Sequence, residues 1–236
     1  MILVVSQPMF IPWIGIFEQI RIADVYIHYD DVQMPQGGSF MSRVQVKTPD
    51  GIAWLTIPVS RPSSKSKIYN VKLVEGNWRR KHQRLLSNIY KKSPYVDDTM
   101  DLIHEIYSNE TDLLADFNIN AIEIIARYFG LQTTFFRSRD YPTTAVSTGH
   151  LLHLSNSFSA DIYVTGHGAV KYMDHELFED NSVKVEYMDY KRLPYPQLFG
   201  TFDPHVSILD VVANCGPSGV DLMCSDTINW RKFTDA

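Results

Sequence analysis

Ile2-Leu3-Val4-Val5-Ser6-Gln7-Pro8 and Asp24-Val25-Tyr26-Ile27-His28-Tyr29-Asp30-Asp31 are the two stretches that decide the fold. The first is a short continuous apolar run, the pattern of a strand buried on both faces. Gln7-Pro8 ends it. Residues 11–23 then set Ile14, Phe17, Ile20 and Ile22 along one helical face. Residues 24–29 form a second strand, which ends at Asp30-Asp31. Strand, helix and strand in roughly thirty residues make a βαβ unit with an expected right-handed crossover. Gln7 and Asp30/Asp31 then fall at the carboxyl ends of neighbouring parallel strands.

A second α/β pattern lies near the far end. Asp161-Ile162-Tyr163-Val164-Thr165 is strand-like and stops at Gly166-His167-Gly168; Ala169, Tyr172, Met173, Glu176 and Leu177 then read as a helix over 169–178. Strands at 133–137 and 183–187 and a helix at 149–158 continue the alternation. The expected architecture is α/β: a mostly parallel open sheet with flanking helices. Between the halves, 37–48 and 54–59 read as a hairpin turning at Pro49-Asp50-Gly51. A basic loop at 61–67 follows, then helices at 77–92, 101–108 and 111–130. A short helix at 207–213 stops at Asn214-Cys215-Gly216. The expected organisation is an N-terminal βαβ half plus hairpin (1–75), a helical insertion (76–130), and a C-terminal half (131–236) completing the same domain.

The chain has 236 residues, 44% of them hydrophobic, and a net charge of −5. That is enough apolar material for a well-buried core. The negative balance argues against sequence-independent DNA binding, which needs a basic face. Cys215 and Cys224 show no zinc spacing and fit a reduced protein. No targeting leader is visible, and no apolar stretch approaches the roughly 20 residues of a bilayer span. The expected location is the cytoplasm.

The candidate chemistry gathers at the expected carboxyl edge of the sheet, where open α/β sheets bind ligands. His167 between two glycines reads either as a tight βα turn or as a site residue that takes or gives a proton near neutrality. Gly166 and Gly168 would let the backbone turn and approach a ligand, with a helix start beyond them to receive an anion. Lys171 follows one turn later as a charge for a phosphate or carboxylate. Gln7, flanked by Pro8, would face the crevice or satisfy local backbone; Trp13 would pack, or stack on a base or sugar. Asp30 and Asp31 should alternate, one facing the crevice as a base or holding a magnesium-bound phosphate and the other capping a turn. Gln33 accompanies them. Arg43 on the hairpin and Lys81 and His82 on the basic helix are candidates for substrate phosphates, against the plainer reading of a solvated surface. No dedicated metal centre is expected. No Walker loop, dinucleotide glycine motif or Gly-x-Ser-x-Gly elbow appears.

Gln7-Pro8 with Pro12-Trp13-x-Gly15, Asp30-Asp31-Val32-Gln33, Arg43 with Lys47, Trp54-Leu55-Thr56-x-Pro58 and Trp78-Arg79-x-Lys81-His82 recur in order. So do Tyr163-x-Thr165-Gly166-His167-Gly168, Tyr195-Pro196-Gln197, Phe202-x-Pro204 and Ser207-Ile208-Leu209-Asp210. In this the chain resembles the WbqC-like family almost end to end. The resemblance implies a role in O-antigen and related polysaccharide synthesis. The implied enzyme is a transferase that modifies a nucleotide-linked amino sugar by aminoacyl (glycyl-type) or other acyl transfer to the sugar amine. It implies as partners a nucleotide-linked sugar and an amino-acid donor, free, carrier-bound or tRNA-bound. No cofactor is identified; a free amino acid would need ATP, and an activated donor would not. Two rivals are a non-catalytic sugar-nucleotide-binding scaffold and an amino-acid transferase acting on modified thymidine in DNA. The −5 charge speaks against the last.

Overall fold

A computed structural model describes residues 1–236 except Gln36, Gly38, Arg61, Pro62, Ser64, Asp235 and Ala236. Of the expected basic loop, Arg61, Pro62 and Ser64 therefore lie outside the described residues. The chain begins with β1 (Ile2–Ser6), α1 (Ile14–Ile22) and β2 (Val25–His28), the expected βαβ unit. A hairpin of β3 (Arg43–Thr48) and β4 (Gly51–Thr56) comes next, then α2 (Trp78–Tyr90), α3 (Val96–Tyr107) and α4 (Leu114–Tyr128). The alternation resumes with β5 (Thr134–Arg137), α5 (Thr148–Ser157), β6 (Ile162–Thr165), α6 (His175–Asp180) and β7 (Lys184–Asp189). It closes with α7 (Leu209–Cys215), β8 (Asp226–Asn229) and α8 (Trp230–Thr234).

Six strands form one sheet in the order β5-β2-β1-β6-β7-β8. All neighbours are parallel except β7 and β8. β1 is central: Leu3 stands opposite Val25 of β2 and Tyr163 of β6. Successive side chains alternate between the faces, as a pleated strand requires. Val4, Tyr26 and Val164 enter the core shared with α1, α2, α3 and α4. Leu3, Val5, Ile27, Tyr163 and Val185 enter the opposite core, under α5 and α6. The sheet is thus sealed on both faces, which is why β1 reads as an unbroken apolar run.

Three departures from the sequence reading have local causes. In the hairpin the first strand is shorter, starting at Arg43, and the second begins three residues earlier than expected, because Gly51, at φ 110, already pairs with Thr48 across the two-residue loop Pro49-Asp50. The helix expected over 169–178 is broken. His167–Lys171 is a 3₁₀ turn, and α6 begins only after Asp174, whose side chain accepts the Leu177 N–H at 3.1 Å. Asp174 is a strong N-cap, and Gly168 costs the first turn its stability. Finally, β8 and α8 were not anticipated; Asp226–Asn229 pairs antiparallel with β7 as an edge strand. No helix among the described residues is long and apolar enough to cross a membrane.

The helices between β2 and β5 are tied to the sheet by one buried amide. Asn118 of α4 donates to the Pro8 carbonyl at 2.8 Å and to the Met41 carbonyl at 2.7 Å, fully shielded from water. It therefore satisfies the loop after β1 and the approach to β3 together. Asn118→Leu should leave both carbonyls unpaired and lower the unfolding free energy by about 2–4 kcal/mol, read by urea denaturation.

Candidate functional site

Strand order reverses at β1. From β1 the chain crosses to β2 on one side, and returns to β6 on the other side only after β5 and α5. Connections leaving the carboxyl ends there diverge to opposite faces and open a crevice. A cleft of about 520 Å³ occupies this position. Val5, Ser6 and Gln7 line it from the end of β1, and Thr165, Gly166, His167, Gly168 and Ala169 from the end of β6. Trp13, Gln19, Tyr29, Tyr172, Tyr190, Arg192 and His205 contribute walls. Among the described residues no carboxylate lines it, whereas Arg192 does, with the imidazoles of His167 and His205 as hydrogen-bonding groups. In a chain of net charge −5 that is a local inversion of sign, suited to an anionic ligand.

His167 is held by a backbone carbonyl. Its Nε2–H donates to the Met188 carbonyl at 2.7 Å, and the ring packs on Tyr190 and Phe233 at centroid distances of 5.2 and 4.7 Å. A carbonyl only accepts, so Nε2 carries the proton and Nδ1 of the neutral ring is its one acceptor. Neither Gly166 nor Gly168 has a positive φ. A tight turn therefore requires neither glycine; a Cβ on Gly166 would touch Gln19 Nε2 and Tyr190 Oη at 3.5 Å, and one on Gly168 would meet nothing within 4 Å. Because α6 starts later, the anion-binding helix terminus expected here is absent, and Lys171 is exposed on the turn without lining the cleft.

Two chains of polar contacts reach the cleft. In one, Ser6 Oγ donates to Gln19 Oε1 and Gln19 Nε2 donates to Tyr190 Oη, both at 2.7 Å. Burial pushes the Tyr190 hydroxyl up to about 12, so it stays a neutral phenol. In the other, the Tyr29 hydroxyl and His150 Nδ1 share a hydrogen bond of 3.1 Å, and His150 Nε2 lies 3.5 Å from Asp31 Oδ2, an ion-pair contact rather than a hydrogen bond. Asp31 Oδ1 accepts from Ser138 Oγ. Burial, then the Asp31 charge, raises the Tyr29 pKa, and burial lowers that of His150. A carboxylate, an imidazole and a phenol are thus aligned from the end of β2 to the cleft wall.

The model of the WbqC-like protein family matches residues 7–222. This chain belongs to the WbqC-like protein family. It is 32% identical over 222 residues to a Mycobacterium tuberculosis protein named "Uncharacterized protein Rv1507c"; the match spans 93% of this chain and 96% of that one. No solved structure matches the chain.

In this WbqC-like protein, Gln7, Trp13, Gly166, His167 and Gly168 meet in one cleft; the other sequence candidates do not. Asp30 is fully buried, accepts from Ser138 Oγ at 3.3 Å and lies 3.5 Å from Arg139 Nε. Asp30 and Asp31 both turn to Ser138 instead of alternating, because β2 ends at His28 and the pleat no longer governs them. Asp31 reaches the cleft only through His150 and Tyr29. Pro8 is buried behind the cleft, its carbonyl taken by Asn118. Gln33 is exposed and bridges to Lys67 by backbone. Lys81 lies in a separate surface depression with Arg80 and Arg84. Arg43 borders a neighbouring cavity rather than the cleft.

His82 is a core residue. It sits between the Tyr107 hydroxyl and the Thr56 carbonyl, 3.0 Å from each, with Trp78 against its ring at 5.3 Å. This position leaves no phosphate contact. The residues missed were Gln19, Tyr29, His150, Tyr190, Arg192 and His205. Tyr190 and Arg192 follow the carboxyl end of β7, so the strand-end rule applied to 183–187 would have found them; His205 and His150 carry no local signal.

Trp13 explains a motif. Its indole covers Gly15 so closely that a Cβ there would lie 2.2 Å from the ring. The same ring packs on Tyr190 at 5.0 Å and His205 at 5.5 Å. Helix propensity alone favours Gly15→Ala by about 1 kcal/mol. The clash should outweigh it: Gly15→Ala is expected to lower stability by about 1–3 kcal/mol and to shift the tryptophan emission as the indole leaves its place.

Burial pushes His82 down to about 4 from the ordinary 6.5. Between these values the unfolded chain takes a proton that the folded one refuses, so this histidine costs stability as pH falls. The stability gap between the protein and its His82→Gln variant should narrow by on the order of 2–3 kcal/mol between neutral pH and the lower end of that window. Urea titrations at both pH values check it.

Proposed function

We propose that this WbqC-like protein is a cytoplasmic transferase that modifies a nucleotide-linked amino sugar for O-antigen-type polysaccharide synthesis, by aminoacyl or other acyl transfer to the sugar amine. The observation that carries the reading is His167: an imidazole at the switch-point cleft whose Nε2–H is committed to Met188, leaving Nδ1 as acceptor. Among the described residues the lining holds Arg192 and no carboxylate, which supports an anionic, phosphate-bearing substrate.

In this reaction Nδ1 of His167 takes a proton from the sugar ammonium. The freed amine attacks the donor carbonyl and a C–N bond forms. The bond from that carbonyl to the leaving oxygen or sulfur breaks, the leaving atom receives the proton from His167, and the new amide nitrogen releases its remaining extra proton to water. Backbone N–H groups of the glycine segment face the developing oxyanion. The Tyr29 phenol, backed by His150 and Asp31, is a second proton-transfer group on the opposite wall. An activated amino-acid donor enters directly; a free amino acid requires ATP.

Nucleotide-linked amino sugars incubated with amino acids and ATP, or with activated donors, and analysed by mass spectrometry test the proposal. The wild type should yield the amide. His167→Ala should lose about 10²–10⁴-fold in turnover while still binding the sugar nucleotide. Retained turnover in that variant removes the base role. Binding by the wild type with no product from any donor replaces the transferase by a sugar-nucleotide carrier.

A further inference from the structure

A second cavity of about 360 Å³ adjoins the cleft. Met9, Trp13 and His205 line both, so the two spaces share one wall. The remaining lining is mainly apolar, with the exposed ring of Phe40 at its rim and the buried Phe10 behind it. Arg43 and Gln45 stand two apart on β3 and therefore on one face of it. Lys47, next on that face, is fully engaged by Gln197 and the Thr201 carbonyl. Arg43 and Gln45 are not: among the described residues neither side chain has a hydrogen-bond or ion-pair partner, and Arg43 Nε is buried without one. The guanidinium instead lies over the Trp54 ring at 4.1 Å, with Phe40 6.0 Å from that ring.

An aromatic box with an amide and a guanidinium free on one edge matches a planar heterocycle, whose faces are apolar and whose rim carries donors and acceptors. A purely apolar guest would leave both polar groups unsatisfied. We propose that this cavity is a nucleobase subsite. The ring lies between Trp13 and Phe40, Gln45 and Arg43 meet its heteroatoms, and the ribose phosphate passes Trp13 and His205 into the switch-point cleft. The proposal deepens the transferase reading by naming where the nucleotide is held, but base binding is measured without any transfer.

Calorimetry on the full chain tests it, with UMP, TMP and AMP against ribose 5-phosphate and 3-phenylpropanoate, using wild type, Arg43→Met, Gln45→Met and Phe40→Ala. Phe40 is exposed, so its variant keeps the fold should Arg43→Met fail to. At least one mononucleotide should bind about tenfold or more tighter than ribose 5-phosphate, and each variant should weaken it by about tenfold. Equal binding of ribose 5-phosphate, or mononucleotide affinities unchanged in all variants, overturns the subsite. Binding of 3-phenylpropanoate without mononucleotides overturns it too, in favour of an apolar acid. The base-dependent pattern without any amide product would keep the subsite and remove the transferase; amide product without base discrimination would do the reverse.

Discussion

β1 hydrogen-bonds to β2 on one side and β6 on the other, and both pairings are parallel. Helices then cover both faces of the sheet, and its polar backbone is spent within it. What remains for a ligand is the carboxyl edge, and at β1 that edge opens because the chain leaves in one direction and returns from the other. Gln7 and His167 are far apart in sequence and lie on one cleft for this reason alone.

The loop after β1 shows how firmly this edge is set. Ile11, β-branched and fully buried, has φ 36, a left-handed conformation such residues rarely adopt. It is held by contacts from distant segments: Ser207 Oγ donates to the Ile11 carbonyl at 2.9 Å, the Ile208 N–H to Pro12 at 2.8 Å, and the Phe10 N–H to Phe40 at 2.9 Å. Strain of this kind persists where the surroundings over-determine it, and it occurs beside binding sites. Here it aims Trp13 between the two cavities. The motif residues Lys47, Gln197, Tyr195 and Asp210 form a half-buried chain next to Ser207. Lys47 and Tyr195 each bond to Gln197, and Tyr195 donates to Asp210 at 3.0 Å. Burial pushes the Asp210 carboxyl up to about 6.

Legibility followed periodicity. The βαβ unit, β6 and the three helices before β5 were readable because each buries a regular face. The 3₁₀ turn at His167 was not, since a helical pattern over 169–178 survives in the sequence although Asp174 restarts the helix. β8 escaped notice because Asp-Thr-Ile-Asn is an edge strand with one exposed side. For the site, strand ends located Gln7 and His167. They misled at Asp30, where the pleat had already stopped; at His82 it was the basic helix neighbours that suggested a surface the ring does not occupy.

The sequence by itself determined the class of fold and the sheet edge at which Gln7 and His167 meet, because apolar periodicity and strand-ending residues are local properties. Tertiary structure alone decided which polar groups meet there. Tyr29 joins His150 and Asp31, Tyr190 joins Gln19, and Trp13 divides two cavities through contacts between residues far apart along the chain. Hydrogen bonds and ring contacts depend on distances of a few ångströms in space, and no local pattern in the chain encodes them.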